Sequence, residues 1–221
     1  MDVGRSFTFV TKDPDWVKKV LVGGVIVLLG SIVFPIAFIL TGYQLAIVRR
    51  VYDGADVPLP EWDDIGGYFV RGLLASVGLI IWTLPLVVLF GCVLAGASVA
   101  SNNAGSAVAL LAVCLGIPVG IVYFAFIYPV VFGRYAIHNT FGSMFEFGEI
   151  MAEIRRAPGA LLLTALIAFL AVFLAYFGLI ACIIGVFFTI TYAYFVMAHV
   201  LGQAYRQASG AGQQLQSTAA F

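Results

Sequence analysis

The stretch Gly72-Leu-Leu-Ala-Ser-Val-Gly-Leu-Ile-Ile-Trp-Thr-Leu-Pro-Leu-Val-Val-Leu-Phe-Gly91 opens a tract that runs to residue 133 without one Asp, Glu, Lys or Arg. Two further tracts, 20–48 and 157–205, are equally free of formal charge. A charge at the centre of a bilayer costs about 2.5 kcal/mol or more. Uncharged apolar tracts of this length are typical of membrane-spanning helices. The sequence therefore predicts an all-α polytopic membrane protein.

The composition indicates one membrane domain. Hydrophobic residues make up 62% of the chain and charged residues 10%, whereas a soluble domain has roughly 25% charged residues. We expect a single transmembrane domain over residues 1–207 and a polar C-terminal tail over residues 208–221. The net charge is zero and the basic residues form no large patch, which argues against nucleic-acid binding. The three cysteines, Cys92, Cys114 and Cys182, lie in apolar tracts, where cysteine usually packs as a small hydrophobic residue.

Basic pairs flank the first uncharged tract, with Lys18-Lys19 before it and Arg49-Arg50 after it. A single span would place a basic pair on each membrane face, against the positive-inside bias, whereas a hairpin places both pairs on the cytoplasmic face. A break at Pro35 agrees with a hairpin because proline disfavours helix in the residue before it. The first tract is therefore predicted to cross the membrane twice.

The other two tracts divide in the same way. The second contains one polar turn, 98–106, and the third breaks near 178–185. The sequence thus predicts six transmembrane helices in three hairpins, at 14–33, 35–51, 73–97, 107–132, 158–177 and 183–203. Asp13 is the expected N-cap of the first helix, with Pro14 at its first position. Both termini and both charged loops are predicted to be cytoplasmic, and the outer turns short and neutral.

A short amphipathic stretch precedes each predicted hairpin. Pro14-Asp15-Trp16 before the first hairpin is echoed by Pro60-Glu61-Trp62 before the second. Apolar residues recur at helical spacing between Met144 and Ile154, before the third. We interpret the chain as three copies of one unit, an amphipathic interfacial helix followed by a hairpin, at about residues 3–53, 58–134 and 141–206.

Aromatic and apolar residues in these stretches are the predicted contacts with the headgroup layer of the bilayer. Tryptophan is enriched at both membrane–water interfaces, where its amphipathic ring fits the headgroup level. The predicted interfacial anchors are Trp16, Trp62, Phe147 and Met151. The alternative interpretation is that the stretches are polar loops with a few hydrophobic residues.

The N-terminal run from Phe7 to Gly24, FTFVTKDPDWVKKVLVGG, resembles a family of prokaryotic multi-pass membrane proteins of unknown function, found in archaea and in some bacteria such as Chloroflexi. The pair Arg49-Arg50 and the loop PLPEWDDIG at 58–66 share this resemblance. The likeness is close over residues 7–72 and depends on hydropathy beyond them. It implies a prokaryotic plasma membrane, and it implies no activity and no catalytic residues.

Two histidines are the candidate ligands for a cofactor. His199 lies near the inner end of the last predicted helix, where a neutral imidazole could bind a haem or a pigment of the chlorophyll type. A histidine at a helix end is more often a polar residue at the interface. His138 lies far away in sequence, and neither histidine has a carboxylate beside it. The pattern does not predict a metal site, and no cofactor is expected.

An acidic loop follows the first hairpin and leaves two interpretations open. Its oxygen ligands could hold a divalent cation, or its charges could be solvated, with two of them offsetting the dipole at a helix start. The spacing does not match a known calcium-binding loop. The residues are Asp53, Asp56, Glu61, Asp63 and Asp64.

The second tract contains the motif Gly116-x-Pro118-x-Gly120, and Pro85 interrupts the preceding helix. Broken helices mark the binding sites of some transporters, but small residues and proline kinks also occur where helices simply pack closely. Gly116, Pro118 and Gly120 are therefore predicted helix-packing residues, with a substrate path as the alternative.

These observations predict a non-enzymatic protein of a prokaryotic plasma membrane. No catalytic motif is present, and the three uncharged tracts contain no Asp, Glu, Lys or Arg that could serve as a proton relay. We expect an accessory or scaffold subunit, whose partners are the lipid bilayer and other membrane subunits or further copies of itself. The alternatives are a carrier or channel for an uncharged or lipid-like substrate and, third, a pigment- or haem-binding subunit.

Overall fold

A computed structural model describes residues 2–55, 59–99, 103–176, 178 and 185–211. The described chain is all-α and contains no strand, as the sequence predicts. Nine α-helices and three short helical segments of other types are described. The α-helices are α1 (Val3–Lys12), α2 (Trp16–Ile32), α3 (Ala37–Tyr52), α4 (Ile65–Val99), α5 (Asn103–Val122), α6 (Tyr128–His138), α7 (Phe147–Arg156), α8 (Pro158–Tyr176) and α9 (Gly185–Ala208). A π turn, Tyr123–Ile127, joins α5 to α6, and the 3₁₀ segments are Phe34–Ile36 and Phe141–Phe145.

Several of the described helices are long and apolar enough to cross a membrane. Five segments qualify by length and hydropathy: Phe34–Tyr52, Ile65–Val99, Gly105–His138, Pro158–Tyr176 and Gly185–Ala208. Helix α2 is shorter, at 17 residues, or about 25 Å. It nevertheless exposes an apolar stripe at helical spacing, formed by Val17, Leu21, Val25, Leu29 and Ile32.

Helix α3 lies at the centre of the fold, between α4 and α9, and α8 packs on the other side of α9. Two glycines let α3 and α4 approach very closely. A Cβ added at Gly42 would lie 1.8 Å from the Tyr68 carbonyl oxygen, and one added at Gly72 would lie 1.8 Å from that of Phe38. A larger residue at either position would hold the two backbones apart, so this contact between α3 and α4 requires glycine at both positions.

The second hairpin differs most from the prediction. Helix α4 has 35 residues, or about 52 Å, and starts well before the predicted residue 73. The helical course from α5 through α6 continues to His138. The prediction of an amphipathic helix before this hairpin is wrong for the described residues, because 59–64 contain a turn and no helix. The predicted helices before the first and third hairpins correspond to α1 and α7.

The start of the first hairpin also differs from the prediction. Asp13 ends α1 as its C-cap and does not begin α2, which starts at Trp16. The Asp13 carboxylate accepts a 2.9 Å hydrogen bond from the Asp15 N–H and a 2.7 Å bond from Lys19 Nζ. This buried ion pair holds Asp13 in the turn between the two helices. The predicted turn at 98–106, the break near 178–185 and the tail at 208–221 lie partly outside the described residues.

Candidate functional site

Lys19 is the centre of a buried ionic cluster at the cytoplasmic end predicted for α2. Its ammonium group lies 2.7 Å from Asp13 Oδ2 and 2.6 Å from Glu61 Oε1. The side chains of Lys19 and Asp13 are almost fully buried, whereas that of Glu61 is 59% exposed. A third contact joins Lys19 Nζ to the Leu59 carbonyl oxygen at 3.4 Å. The cluster therefore ties the turn between α1 and α2 to the segment that precedes α4.

Aromatic rings cover this ionic cluster. The Trp62 ring stacks on Tyr43 with ring centroids 3.8 Å apart, and its indole N–H donates to the Lys19 carbonyl oxygen at 3.2 Å. The Tyr43 hydroxyl donates to the Pro60 carbonyl oxygen at 2.8 Å. Burial of Lys19 and Asp13 lowers the polarity around their ion pair and strengthens its attraction. The arrangement is a structural clamp with its polar groups paired.

Arg134 of α6 is the centre of a second buried cluster. Its Nε–H donates to the Ser143 carbonyl oxygen at 2.9 Å, and Nη1 donates to Glu153 Oε1 at 2.8 Å. Nη2 pairs with the carboxylate of Glu146. The Tyr205 hydroxyl of α9 also donates to Glu153 Oε1, at 3.1 Å. Arg134 thus fastens the 3₁₀ segment and α7 to α6, and Tyr205 links α7 to α9 through Glu153.

Glu153 is unusual within this second cluster. Its other oxygen, Oε2, is buried and has no hydrogen-bond partner among the described residues. Burial raises the pKa of Glu153 above its usual value, although the Arg134 guanidinium and the Tyr205 hydroxyl act in the opposite direction. A buried polar atom without a partner is rare and calls for a physical explanation.

The outer parts of α4 and α5 form an exposed apolar hairpin. Between residues 84 and 122 the described residues that are buried are all small: Ala97, Gly105 and Ala112. Helix α5 packs mainly against α4 and the π turn. A groove of about 390 Å³ lies between the two helices. Its lining is aliphatic apart from Phe90, Thr83 and Tyr123.

The polar groups in the groove bond to one another. The hydroxyls of Thr83 and Tyr123 lie 3.0 Å apart, and Thr83 also donates to the Leu79 carbonyl oxygen at 2.8 Å. Tyr123 begins the π turn, which lies between Pro118 and Pro129. The π turn is a feature that the sequence analysis missed, and the two flanking prolines were the available signal. A molecule bound in this groove would therefore need no polar group to pair with the hydroxyls of Thr83 and Tyr123.

The predicted helix-packing residues differ in their surroundings. A Cβ added at Gly116 would lie 3.3 Å from the Phe90 ring, so this glycine accommodates a neighbour from its own chain. A Cβ added at Gly120 would meet nothing within 4 Å, although Gly120 also lines the groove. Pro118 is exposed, and α5 continues through it without a break. Gly120 and Pro118 are therefore free to face lipid or another protein.

A smaller cavity of about 20 Å³ lies inside the bundle, beside the π turn. Its walls come from the π turn and from α3, α6, α8 and α9, and they are apolar except for Gln44, Thr164 and Tyr128. Thr164 already donates to the Ala160 carbonyl oxygen at 2.9 Å. The volume suits about one water molecule, so the cavity is too small for a substrate.

The four predicted anchors do not share one environment. Phe147 and Met151 on α7 are 64% and 47% exposed, and the Phe147 ring lies 5.0 Å from that of Trp82. Trp16 is half-buried against the core, and Trp62 lies in the ionic clamp described above. Only the exposed pair presents apolar surface away from the protein. The anchoring of all four residues in the headgroup layer stays a prediction.

His199 lies buried where α9 contacts α1. Its Nδ1 is 3.0 Å from the Ser6 hydroxyl and 3.1 Å from Gln203 Nε2, and its ring stacks on Phe9 with centroids 4.2 Å apart. These contacts engage one ring nitrogen and one ring face in fastening α1 to the bundle. Ligation of a haem or pigment would have to use Nε2, and it stays a prediction.

Metal ligation finds no support in the part of the chain that the structure describes. No group of three or more His, Cys, Asp or Glu side chains there is placed to hold an ion. Within the acidic loop, Glu61 pairs with Lys19 and Asp64 pairs with Arg71 at 2.7 Å. Cys92 and Cys114 are free and exposed on the α4–α5 hairpin. Asp56 and Cys182 lie outside the described residues.

A family model described as "Protein of unknown function (DUF4013)" matches residues 25–185. The chain belongs to the DUF4013 family. The match includes about half of α2, from residue 25, and α3 to α8. It therefore contains the α4–α5 hairpin and Arg134, Glu146 and Glu153, but not Tyr205. No curated protein and no solved structure matches the chain. Family membership agrees with the resemblance noted in the sequence, and it assigns no activity.

Proposed function

We propose that the protein is a six-helix integral membrane protein with its termini and charged loops in the cytoplasm of a prokaryote. The five long apolar segments and the exposed apolar stripe of α2 support six crossings. The uncharged part of the α4–α5–α6 hairpin lies between Arg71 and Arg134, which a hairpin places at the same end. Each arm beyond them is longer than the roughly 30 Å hydrocarbon core, which favours a tilted hairpin.

Within that topology, the protein acts as a non-enzymatic accessory or scaffold subunit. The observation that supports this role is the outer part of the α4–α5 hairpin, residues 84–99 and 105–122, which exposes apolar and small residues and buries only small ones. The inner part of α4 instead packs closely on α3. Helices α2, α3 and α9, by contrast, share a core of large side chains such as Tyr43 and Phe195. Membrane helices associate through close backbone approach at small residues. The hairpin around Gly120 therefore suits contact with another subunit or a second copy.

Leucine at Gly120 tests this role, because its Cβ would meet nothing within 4 Å and its side chain would add bulk to the groove. We expect the Gly120→Leu variant to fold and melt like wild type and to lose its oligomer or partner. Gly159→Leu is the matched control, because Gly159 on α8 is equally open. Native mass spectrometry of gently solubilised membranes measures the assembly. Oxidative cross-linking through Cys92 and Cys114 provides a second readout within the bilayer.

The contradicting outcome is a strictly monomeric wild-type protein, or an assembly that both variants keep.

A carrier for an uncharged or lipid-like substrate is the second candidate, and the groove of about 390 Å³ favours it. A monomer that moves a neutral or lipid-like solute across liposomes, and loses this activity in Gly120→Leu, would support the carrier.

A further inference from the structure

The Arg134 cluster contains one cation and two carboxylates. The side chains of Arg134 and Glu153 are 4% and 7% exposed, whereas that of Glu146 is 54% exposed. The solvent-facing carboxylate of Glu146 pairs with Arg134. A second negative charge on Glu153 leaves the buried site with excess negative charge, which a low-polarity environment disfavours. One bound proton balances the cluster.

The hydrogen bonds of Glu153 agree with a bound proton. An ionised carboxylate offers about four acceptor positions, yet both contacts of Glu153, from Arg134 and Tyr205, are to Oε1. Oε2 is buried and has no partner among the described residues. An unpaired buried oxygen is far more costly when it shares a negative charge than when it carries a proton. Oε2 is therefore the atom that the proton occupies.

The other titratable groups around Glu153 come from three elements. His138 of α6 is exposed and opposes the bound proton when it is itself charged. Tyr205 of α9 donates its hydroxyl hydrogen to Oε1. Tyr52 of α3 lies behind Tyr205, with ring centroids 5.8 Å apart. None of these three groups is a permanent cation, and Arg156, three residues further along α7, donates to the Ala208 carbonyl oxygen at 2.8 Å. The proton is therefore the variable charge of the site.

We infer that Glu153 is a proton-binding site that couples the docking of α7 on the bundle to pH. Helix α7 stays fastened to α6 and α9 while Glu153 holds its proton, and it loosens when the proton leaves. The sign follows from linkage: a carboxyl that binds its proton more tightly when docked stabilises the docked state at low pH, and this stabilisation is lost as pH rises. Because α7 bears the exposed Phe147 and Met151, its release changes the apolar surface near the membrane.

Hydrogen exchange of the α7 backbone amides, in lipid nanodiscs, tests this inference. Glu153→Gln keeps an oxygen for Arg134 and Tyr205 and imitates the protonated acid at every pH. Glu149→Gln, an exposed change on the same helix, is the matched control. At pH 8 we expect α7 to exchange faster in wild type than in Glu153→Gln, by about tenfold for each unit by which docking raises the pKa. The difference should vanish in acid, and Glu149→Gln should follow wild type throughout.

Equal exchange of wild type and Glu153→Gln between pH 5 and 9 would overturn the inference, as would an equal effect of Glu149→Gln. A second measurement on the wild-type protein is independent of whether Glu153→Gln folds. The infrared carbonyl band of a protonated carboxylic acid should persist in neutral buffer and disappear in alkali. It should be absent from Glu153→Gln and present in Glu149→Gln, and its absence from wild type at neutral pH would also refute the bound proton.

Discussion

Alanine at Gly72 perturbs the closest contact between helices in the fold. The added Cβ would lie 1.8 Å from the Phe38 carbonyl oxygen and 2.7 Å from the Gly42 nitrogen, whereas ordinary contacts begin at 3.4 Å. Backbone atoms cannot rotate away as side chains do, so α3 and α4 must separate by about 1.6 Å, the difference between the contact limit and the clash. A gap of about 1 Å already removes up to half of the dispersion energy of a contact.

We expect Gly72→Ala to lower the free energy of unfolding by about 3 kcal/mol, the upper part of the range for overpacking. Gly66→Ala on the same helix is the control, because its Cβ would meet nothing within 4 Å. Alanine there keeps or slightly raises stability through its helix propensity. Adding Gly42→Ala to Gly72→Ala should cost less than the sum of the single changes, because both open the same contact.

Thermal melting in one detergent measures these effects. For a chain of 150–250 residues, about 3 kcal/mol corresponds to a fall in Tm of roughly 6–12 °C. Reversible unfolding in mixed micelles gives the free energy directly. Equal melting of Gly72→Ala and Gly66→Ala would refute the close approach of α3 and α4, as would full additivity of the Gly42 and Gly72 changes.

Two further predictions concern topology and the first ionic cluster. In a variant whose native cysteines are replaced by serine, single cysteines at Ala55, Ser106 and Gly142 should divide in labelling of intact cells by an impermeant thiol reagent. Only the Ser106 position should react, and reaction at Ala55 would contradict the hairpin topology. Lys19→Met leaves the buried Asp13 carboxylate without its cation and should destabilise the protein by about 3–5 kcal/mol. Lys18→Met is the control, because Lys18 is exposed and its loss should change the melting temperature little. Equal melting of the two variants would argue against the buried pair.

Some features of the fold were predictable because they depend on the local sequence. The uncharged tracts predict long apolar helices, and the all-α class follows because helices satisfy their backbone hydrogen bonds within lipid. The apolar spacing between Phe147 and Ile154 predicts α7 for a similarly local reason. The same local reasoning failed before the second hairpin, where Glu61 and Trp62 bind Lys19 and Tyr43 from other elements. The sequence of the loop alone does not indicate these partners.

The candidate sites were less predictable. Arg134 and Glu153 look like ordinary loop charges in the sequence, since their spacing gives no motif. Their burial together with Tyr205 depends on how α6, α7 and α9 pack. The Gly116-x-Pro118-x-Gly120 motif was visible, but only the packing of Phe90 on Gly116 distinguishes the occupied glycine from the open Gly120.

The sequence by itself therefore determined the membrane class, the helical content and the approximate ends of most apolar segments, because hydropathy and charge act residue by residue against the solvent. The tertiary structure alone decided which charges are buried, which glycines bring backbones together and which surface of the hairpin stays open. Those properties are set by pairs of residues that are distant in the chain, such as Lys19 and Glu61 or Gly72 and Phe38. The energy of each pair depends on a distance that exists only after the helices have packed.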